Sequence, residues 1–380
     1  MAYKQRNEIP EKYTWKLEDM YATLEDWEKA FTELSAHASD CTKYKGKLNN
    51  DVTLLEMLKE QDEYSQQVEK LYCYAFMAYC EDRKDTDKQS RYGKVMGLLN
   101  NISALSSFIE PELSELSDEV ISRLIVDKRF TEYDEKLKAL LRGKAHVLSA
   151  EEEKILANSG SITQSFSEIF NRLDGGEISF GKITIDGKEE ELTHGLYSMA
   201  LSNSDQKVRR EAFNAYYKGY IDKINTISGI YEGSVKSDWF YAQSKKFGSS
   251  MELALFSEDV DRKVYDKLIE GIHKSLAPLH EYMQFRKDIM GLSELNMYDL
   301  YCPIVEDTDK ACSYEEATEI VKSGLAPLGK DYLEVVNKAF NERWIDVMET
   351  PTKYNGAYSI NVYGVHPYML LNYQKTTHDI

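Results

Sequence analysis

Histidine spacing is the first feature of this chain of 380 residues that bears on chemistry, because imidazoles serve most often as metal ligands and proton carriers. A His-Glu-x-x-His helix places two imidazoles one turn apart around Zn²⁺, with the glutamate as general base. The seven histidines are His37, His146, His194, His273, His280, His366 and His378. No second histidine stands four positions after any of them, and although His280 precedes Glu281, Gln284 occupies the fourth position. We therefore assign no catalytic residue and no metal ligand.

Other residue types give no stronger catalytic signal. The acidic runs 151–153 and 189–191 could supply paired carboxylates, but such runs are typical of solvated surface. No glycine-rich phosphate-binding pattern occurs, and the lone serines and cysteines lack the local signature of a nucleophile. His194 and His280 are interpreted as structural histidines.

The segment 344–380 is different in character. Gly356 and Gly364 bound a stretch rich in strand-favouring residues, and Pro367 precedes an apolar run, 368–373. An exposed edge strand binds peptides of any sequence, because main-chain hydrogen bonds hold the peptide extended. An ordinary buried strand and loop would give the same pattern. The residues alone leave both interpretations open.

Helices must position this segment. Apolar residues recur at helical spacing over 68–79 and again over 95–109, which predicts an N-terminal helical bundle or an array of helical hairpins ending near Pro111. Capping-box spacings at Ser149 and Ser313 mark two helix starts. The segment 205–246 is predicted as one long helix or two nearly continuous ones. A short β-hairpin is expected over 183–192, with Asp186-Gly187 as its turn.

Composition narrows the function classes. The net charge of −18 disfavours nucleic acid as a partner, because an acidic surface repels phosphates. The five cysteines show no Cys-x-x-Cys spacing and are predicted to be reduced and mostly buried. No signal-peptide core and no apolar run long enough to span a bilayer occurs. These observations predict a cytoplasmic protein that does not bind membranes.

Short motifs in a fixed order carry a family resemblance. They are Ile9-Pro10 to Tyr13, Trp15, Leu17 and Met20-Tyr21; Leu192-Thr-His-Gly-Leu-Tyr197 with Leu201, Asp205, Val208-Arg209, Ala212-Phe213 and Tyr217; Met297-Tyr-Asp-Leu-Tyr301 with Pro303; Trp344-Ile-Asp-Val347; Gly356-Ala-Tyr-Ser359; and Gly364-Val-His-Pro-Tyr368. Together they resemble the oligoendopeptidase F group of the M3 (thimet-like) zinc metallopeptidases over nearly the whole chain. One departure is Tyr354-Asn355, where the family often has a basic and a small residue.

The resemblance implies a mainly α, elongated multi-helix fold with a short β-hairpin and a small sheet near the active site. It implies a helical domain over 1–112 and a partial catalytic domain over 113–380, with the C-terminal part of that domain missing. Zn²⁺ in the complete enzyme would be held by a His-Glu-x-x-His motif expected only a few positions beyond Ile380 and by a glutamate that lies further on. We therefore expect these 380 residues to bind no zinc and to be inactive by themselves.

Oligopeptides are the substrates that the resemblance implies, and the expected binding residues lie in the last segment. They are Ala357, Tyr358, Ser359, Gly364, His366 and Tyr368. Either 357–361 or 368–373 would align the peptide backbone. His366 would donate a hydrogen bond to a substrate carbonyl or, equally, fix its own loop. A non-catalytic peptide-binding scaffold and one half of a split peptidase remain as alternatives, and the oligomeric state is not predicted.

Overall fold

Helices make up most of the computed structural model, which describes residues 3, 5–185, 187–305 and 311–375. The α-helices of this part of the chain are α1 (Leu24–His37), α2 (Asp51–Glu81), α3 (Thr86–Ser106), α4 (Ile109–Ser114), α5 (Asp118–Val126), α6 (Asp134–Gly143), α7 (Ala150–Arg172), α8 (His194–Leu201), α9 (Gln206–Ile221), α10 (Ile224–Ser244), α11 (Ser250–Ser257), α12 (Arg262–Lys274), α13 (Leu276–Ile289), α14 (Tyr314–Leu325) and α15 (Lys330–Asn341). The strands are β1 (Lys182–Ile185), β2 (Lys188–Glu191), β3 (Ile345–Met348), β4 (Tyr358–Ile360) and β5 (Tyr368–Tyr373). The predicted mainly α fold is confirmed.

The long helix α2 forms the centre of the N-terminal helices. Asn50 caps its start by accepting hydrogen bonds from the amides of residues 52 and 53, which have no partner inside the helix. Its predicted apolar stripe packs against α1 and α3, where Trp27 is fully buried and donates from Nε1 to the carbonyl oxygen of Leu71 at 3.1 Å. The second predicted stripe is divided, because α3 ends at Ser106 and Ile109 begins α4.

One apolar cluster joins the two sides of the predicted domain boundary at 112. Leu54 and Met57 of α2 pack in it with Leu113 of α4 and Ile121 of α5. The division of the chain into 1–112 and 113–380 stays a prediction.

Local signals predicted several elements correctly. Ser149 and Ser313 form capping boxes at the starts of α7 and α14. Strands β1 and β2 pair antiparallel, and Gly187 in the turn between them has φ of +78°, which glycine adopts without strain. Asp186, the other predicted turn residue, lies outside the described residues. Helices α9 and α10 follow each other closely, as the second of the two predictions for 205–246 stated.

A three-stranded sheet brings the last segment together. The strand order is β3-β5-β4, with β3 parallel and β4 antiparallel to β5. Every residue of β3 is buried, so the sheet lies in the interior at this edge. Its apolar residues pack with Trp15 and with Cys73 and Met77 of α2 on one side and with Trp344 on the other.

Charged groups are buried with this sheet. The carboxylate of Asp346 on β3 is 0 % exposed and accepts from Arg6 at 2.7 Å, while the ammonium of Lys353 lies 2.7 Å from the same carboxylate. Burial alone would raise the pKa of Asp346, but the hydrogen bond from Arg6 and the charge of Lys353 outweigh it and lower the pKa. This arrangement ties the N-terminal segment to the sheet.

The helices from α11 to α15 are much less covered. Helices α11, α12 and α15 contain no buried residue, and apolar side chains of α12 such as Leu268 and Ile272 point into solvent. Among the described helices, none is both long and apolar enough to cross a membrane.

Candidate active-site strand

Strand β4 occupies one end of the sheet and can accept a further strand. It pairs with β5 on one side, with Tyr358 opposite Leu370 and Ile360 opposite Tyr368. Strand β5 lies between β3 and β4, so both of its edges are already used. Of the two segments that the sequence offered for aligning a peptide, only the one around β4 has an edge that the described strands leave open.

The six predicted binding residues divide into two groups. Ala357, Ser359 and Gly364 are exposed, and Gly364 turns the chain with φ of +74°. Tyr358, His366 and Tyr368 direct their rings toward the interior. Because side chains alternate along a strand, Tyr358 supports β4 from behind while its neighbours Ala357 and Ser359 face outward.

Tyr358 is held by other aromatic rings. Its ring centroid lies 6.4 Å from that of Trp15, 5.7 Å from Phe76 and 5.7 Å from Tyr354. Its hydroxyl is buried and has no conventional hydrogen-bond partner among the described residues. Burial, followed by the neighbouring Cys80 thiol, raises the pKa of Tyr358, so the phenol stays protonated.

His366 and Tyr368 fix the loop that leads into β5. The His366 imidazole stacks on Trp344 with centroids 4.4 Å apart, and its Nε2 lies 3.2 Å from a carboxylate oxygen of Asp19. Its Nδ1 is 2.9 Å from the carbonyl oxygen of Pro367. Tyr368 is fully buried and donates its hydroxyl to the carbonyl oxygen of Lys16 at 3.1 Å. These contacts match the loop-fixing interpretation of His366.

The loop before β4 is anchored from the sheet and from α2. The Asn372 amide on β5 donates to the carbonyl oxygens of Tyr354 at 2.9 Å and Gly356 at 2.7 Å. Gly356 has φ of +146°, which side-chain-bearing residues rarely adopt. The Arg83 guanidinium, from the turn that follows α2, lies 4.5 Å from the centre of the Tyr354 ring, so a cation stands beside this aromatic ring.

Sequence reasoning missed a polar cluster beside this loop. It joins Asn355 to His194, Tyr216, Tyr220 and Asp174 through hydrogen bonds. Burial is the main reason that the pKa of His194 is lowered, although Asp174 and Glu349 oppose the effect. The spacing of Tyr216 and Tyr220 on one helical face was the available signal, but nothing local connects it to residue 355.

Zn²⁺, which the resemblance implies, finds no ligand set here. No group of three or more His, Cys, Asp or Glu side chains in the described ranges is arranged to hold a metal ion. His194 and Asp174 approach to 3.8 Å, but the imidazole Nε2 already accepts from Asn355. The residues present therefore do not fit a zinc site, and no reaction step through a metal can be derived from them.

A separate cavity of about 1020 Å³ is lined by residues of α2, α3, α4, α6, α7, α10 and α11. Its lining includes apolar residues such as Leu58, Leu99 and Leu156, and also His146. None of the six predicted binding residues lines it, so it is distinct from the β4 edge.

Comparison with known proteins gives a consistent result. The family model for peptidase family M3 matches residues 199–380, and that for oligopeptidase F matches residues 112–180. Oligopeptidase PepF of Bacillus subtilis is 34% identical over 99% of this chain, and an oligoendopeptidase F homolog of Lactococcus lactis is 36% identical over 99%. The chain spans 56% and 63% of the lengths of these two relatives.

A solved structure agrees with these relatives. Oligoendopeptidase-F from Enterococcus faecium superimposes on 84% of this chain and 66% of its own, with a TM-score of 0.72 and 27% sequence identity. The likeness therefore includes the three-dimensional arrangement of most of the elements described above.

Proposed function

Because the chain belongs to peptidase family M3, in its oligoendopeptidase F group, we propose that the protein acts as an endopeptidase on short peptides. The observation that carries this proposal is a 34–36% identity that extends over 99% of the chain rather than over one motif. The activity is proposed to require zinc, as in the family. The residues that hold the metal are proposed to lie outside these 380, so that this chain alone is inactive.

In this proposal the chain supplies the wall that aligns the peptide. The substrate backbone would add to the open edge of β4, with Ala357 and Ser359 beside it and Gly364 leaving room at the far end. Tyr358, His366 and Tyr368 would hold the strand in place from behind. Main-chain pairing would allow peptides of many sequences to bind, because it does not depend on the peptide's side chains. With five free cysteines, the protein is proposed to work in the reducing cytoplasm.

The exposed apolar faces of α12 and α15 favour a larger assembly around this chain. Contiguous apolar surface of this kind is usually covered by further polypeptide. A continuous longer chain would cover it in the complete enzyme, and a second polypeptide would cover it in a split peptidase. A peptide-binding scaffold without catalysis is the remaining alternative, and the β4 edge alone would suffice for it.

The test begins with the gene beyond codon 380, followed by assays of both products. We expect an open frame that encodes His-Glu-x-x-His, hydrolysis of a quenched fluorescent peptide by the full product, and none by the 380-residue chain. Stoichiometric zinc bound by the 380-residue chain would refute the assignment of the metal site to other residues. Binding without cleavage by the full product would favour the scaffold, whereas activity restored by a second polypeptide would favour the split enzyme.

The mode of binding has its own test. A peptide whose backbone amides are N-methylated on alternate residues keeps its side chains but loses donors along one edge. We expect it to bind at least about tenfold more weakly than the unmodified peptide, since several main-chain hydrogen bonds are lost. Equal affinity for both peptides would contradict pairing along β4.

A further inference from the structure

The side-chain amide of Asn355 connects three separate parts of the chain immediately before β4. Its Nδ2 donates to a carboxylate oxygen of Asp174 at 2.9 Å and to Nε2 of His194 at 3.1 Å. Its Oδ1 accepts from the guanidinium of Arg83 at 3.3 Å. Both ends of this amide are thus engaged, and changing its orientation would break all three contacts.

These bonds fix the direction of every proton in a closed ring. Because the Asn355 Nδ2 can only donate, the His194 Nε2 must accept, which leaves the proton of the neutral ring on Nδ1. Nδ1 then donates to the Tyr216 hydroxyl at 2.8 Å, and Tyr216 can donate to Tyr220 at 3.4 Å. Tyr220 donates to Asp174 at 2.7 Å, and the second oxygen of that carboxylate returns to Asn355.

The ring members come from elements that are distant in sequence. Asp174 lies in a π-helical turn, Leu173–Glu177, that follows α7, and His194 is the first residue of α8. Tyr216 and Tyr220 are one turn apart on α9. Only Asn355 belongs to the sheet region. The ring therefore joins the helices around the β-hairpin to the loop that enters the candidate strand.

Arg83 holds the same loop and also contacts α7, where its guanidinium donates to the carbonyl oxygen of Asn171. Arg83 is only 5 % exposed. Its guanidinium also donates to the side-chain oxygen of Asn355 and forms no salt bridge with a described carboxylate. Its backbone amide donates to the carbonyl oxygen of Thr352 at 2.9 Å. A Cβ on Gly175 would come within 2.4 Å of its Nη1, so only glycine at that position leaves room for the guanidinium.

We infer that Asn355, held by His194 and Arg83, is a positioning residue that sets the strand β4 in place for peptide binding. The chain turns at Gly356 directly after it, and β4 begins at Tyr358. Without the Asn355 side chain, the turn would keep its hydrogen bonds from Asn372 and the one from the Tyr354 amide to the carbonyl oxygen of Cys80, but it would lose its connection to the hydrogen-bonded ring. The peptide-binding part of the inference rests on the proposed function, whereas the positioning of the strand does not.

Several charged and polar groups surround His194 and determine the protonation state of its imidazole. The Asp174 carboxylate is 3.8 Å from Nε2, and Glu349 and the cationic Arg83 also act on the imidazole. The Phe180 ring meets it edge-on at 5.1 Å, and Tyr216 and Asn355 occupy its two nitrogens. The neutral ring fits this setting, because both nitrogens are satisfied without a second proton.

Hydrogen exchange of the β4 amides tests the positioning. In Asn355→Ala we expect the β4 amides that pair with β5 to exchange about tenfold faster, since the loop loses hydrogen bonds that hold the strand. Asn158→Ala, the same change at an exposed position on α7, should leave the β4 amides unaffected. Unchanged exchange in Asn355→Ala would overturn the inference. A uniform acceleration across β3, β4 and β5 would overturn it as well, because Asn355 would then be a general stabilising residue.

Asn355→Asp provides a spectroscopic signature that a purely structural role would not give. It places a second carboxylate next to Asp174, and a protonated His194 between the two would relieve their repulsion. We expect the NMR pKa of His194 to rise in this variant relative to the wild type, with the Nδ1-protonated tautomer visible only in the wild type at neutral pH. An unchanged titration of His194 would overturn the assigned ring.

Peptide binding separates this inference from the proposed function. If the wild-type chain binds an unmodified extended peptide and Asn355→Ala binds it about tenfold more weakly, both are supported. Equal binding by wild type and variant overturns the role of Asn355 in peptide binding. If the wild type binds no peptide but Asn355→Ala still loosens β4, the proposed function fails for this chain and the positioning of the strand stands.

Discussion

Helix α2, which packs behind the sheet, and helix α12 both carry apolar residues on one face, yet they differ sharply in burial. Helix α2 contains ten buried residues, whereas α12 and α15 contain none. Leu71 on α2 is 0 % exposed, and Leu268 on α12 is 61 % exposed. An apolar stripe therefore predicts which face of a helix needs a cover, but not whether the same chain provides it.

Charges differ between the two regions in the same way. Around the sheet, Asp346 and Lys353 are fully buried and linked to Arg6 across the chain. On α12, by contrast, Glu270 pairs with Lys267 and Lys274 within one exposed helix. Removing one member of a buried group of paired charges strongly destabilises the fold, whereas an exposed ion pair within a helix contributes little to folding stability. Perturbing each region should therefore give very different effects.

The largest effect is expected from Asp346→Ala. The change leaves Arg6 and Lys353 without their shared carboxylate, and removing one partner of a buried ion pair costs about 3–5 kcal/mol. The free energy of unfolding from urea titration measures the loss. As control, Asp238→Ala on the exposed face of α10 should change it by no more than about 0.5 kcal/mol. Similar values for the two variants would remove the distinction between the regions.

A pair of leucine truncations compares the helices directly. Leu71→Ala should lower the free energy of unfolding by about 2–5 kcal/mol, because it opens a cavity in a packed core. Leu268→Ala should change it by no more than about 0.5 kcal/mol, because its side chain already faces solvent. A large loss for Leu268→Ala would mean that α12 is covered in solution, and sedimentation would then show whether a second copy covers it.

Two glycine substitutions should change the free energy of unfolding by smaller amounts but in different directions in the two regions. Gly356→Ala should cost about 1–3 kcal/mol, since φ of +146° strains any residue with a Cβ. Gly271→Ala, inside α12 with open space around its Cα, should be neutral or stabilise the helix by about 0.5–1 kcal/mol. Thermal and urea unfolding of the two variants measure both values. Opposite signs are expected, and a stabilising Gly356→Ala would contradict the strained turn before β4.

The smallest effect concerns pH at the Asn355 ring. Burial lowers the pKa of His194 below its ordinary value of 6.5, so the unfolded chain takes up the proton more readily than the folded one. The stabilising contribution of neutral His194 is thus complete above pH 6.5 and is lost as pH falls through 6.5 toward the lowered folded value. Between pH 8 and pH 5, wild type should therefore lose more stability than His194→Gln. A pH-independent difference between them would contradict the neutral buried imidazole.

Part of the site was open to prediction from sequence. Gly356 and Gly364 bound the β4 region, and the resemblance named the residues of that strand and the following loop. Of the two segments predicted to align a peptide, 357–361 and 368–373, the described sheet leaves an open edge only at the first, and alignment of a peptide there stays a proposal. The roles of Tyr358, His366 and Tyr368 in peptide binding stay predictions. In the described structure, these three side chains contact other residues of the chain.

The Arg209–Asp299 ion pair connects two of the sequence motifs in the folded protein. Arg209 belongs to the motif after the hairpin and Asp299 to the one near 300, and their charged groups lie 2.7 Å apart in the interior. Burial alone would raise the pKa of Asp299, but the Arg209 hydrogen bond and others lower it. The sequence supplied both residues, and only the packing of α9 against the 297–299 turn made them partners.

The sequence by itself determined the elements whose causes are local. Capping boxes, the hairpin and the helical class follow from side chains within a few residues of one another, whereas the sequence left open whether 205–246 forms one helix or two. Tertiary structure alone decided that β4 is an edge of the described sheet, that Asn355 meets His194 and Asp174, and that the described residues leave α12 exposed. These features depend on groups as far apart as 181 positions, and no spacing along the chain encodes such a contact.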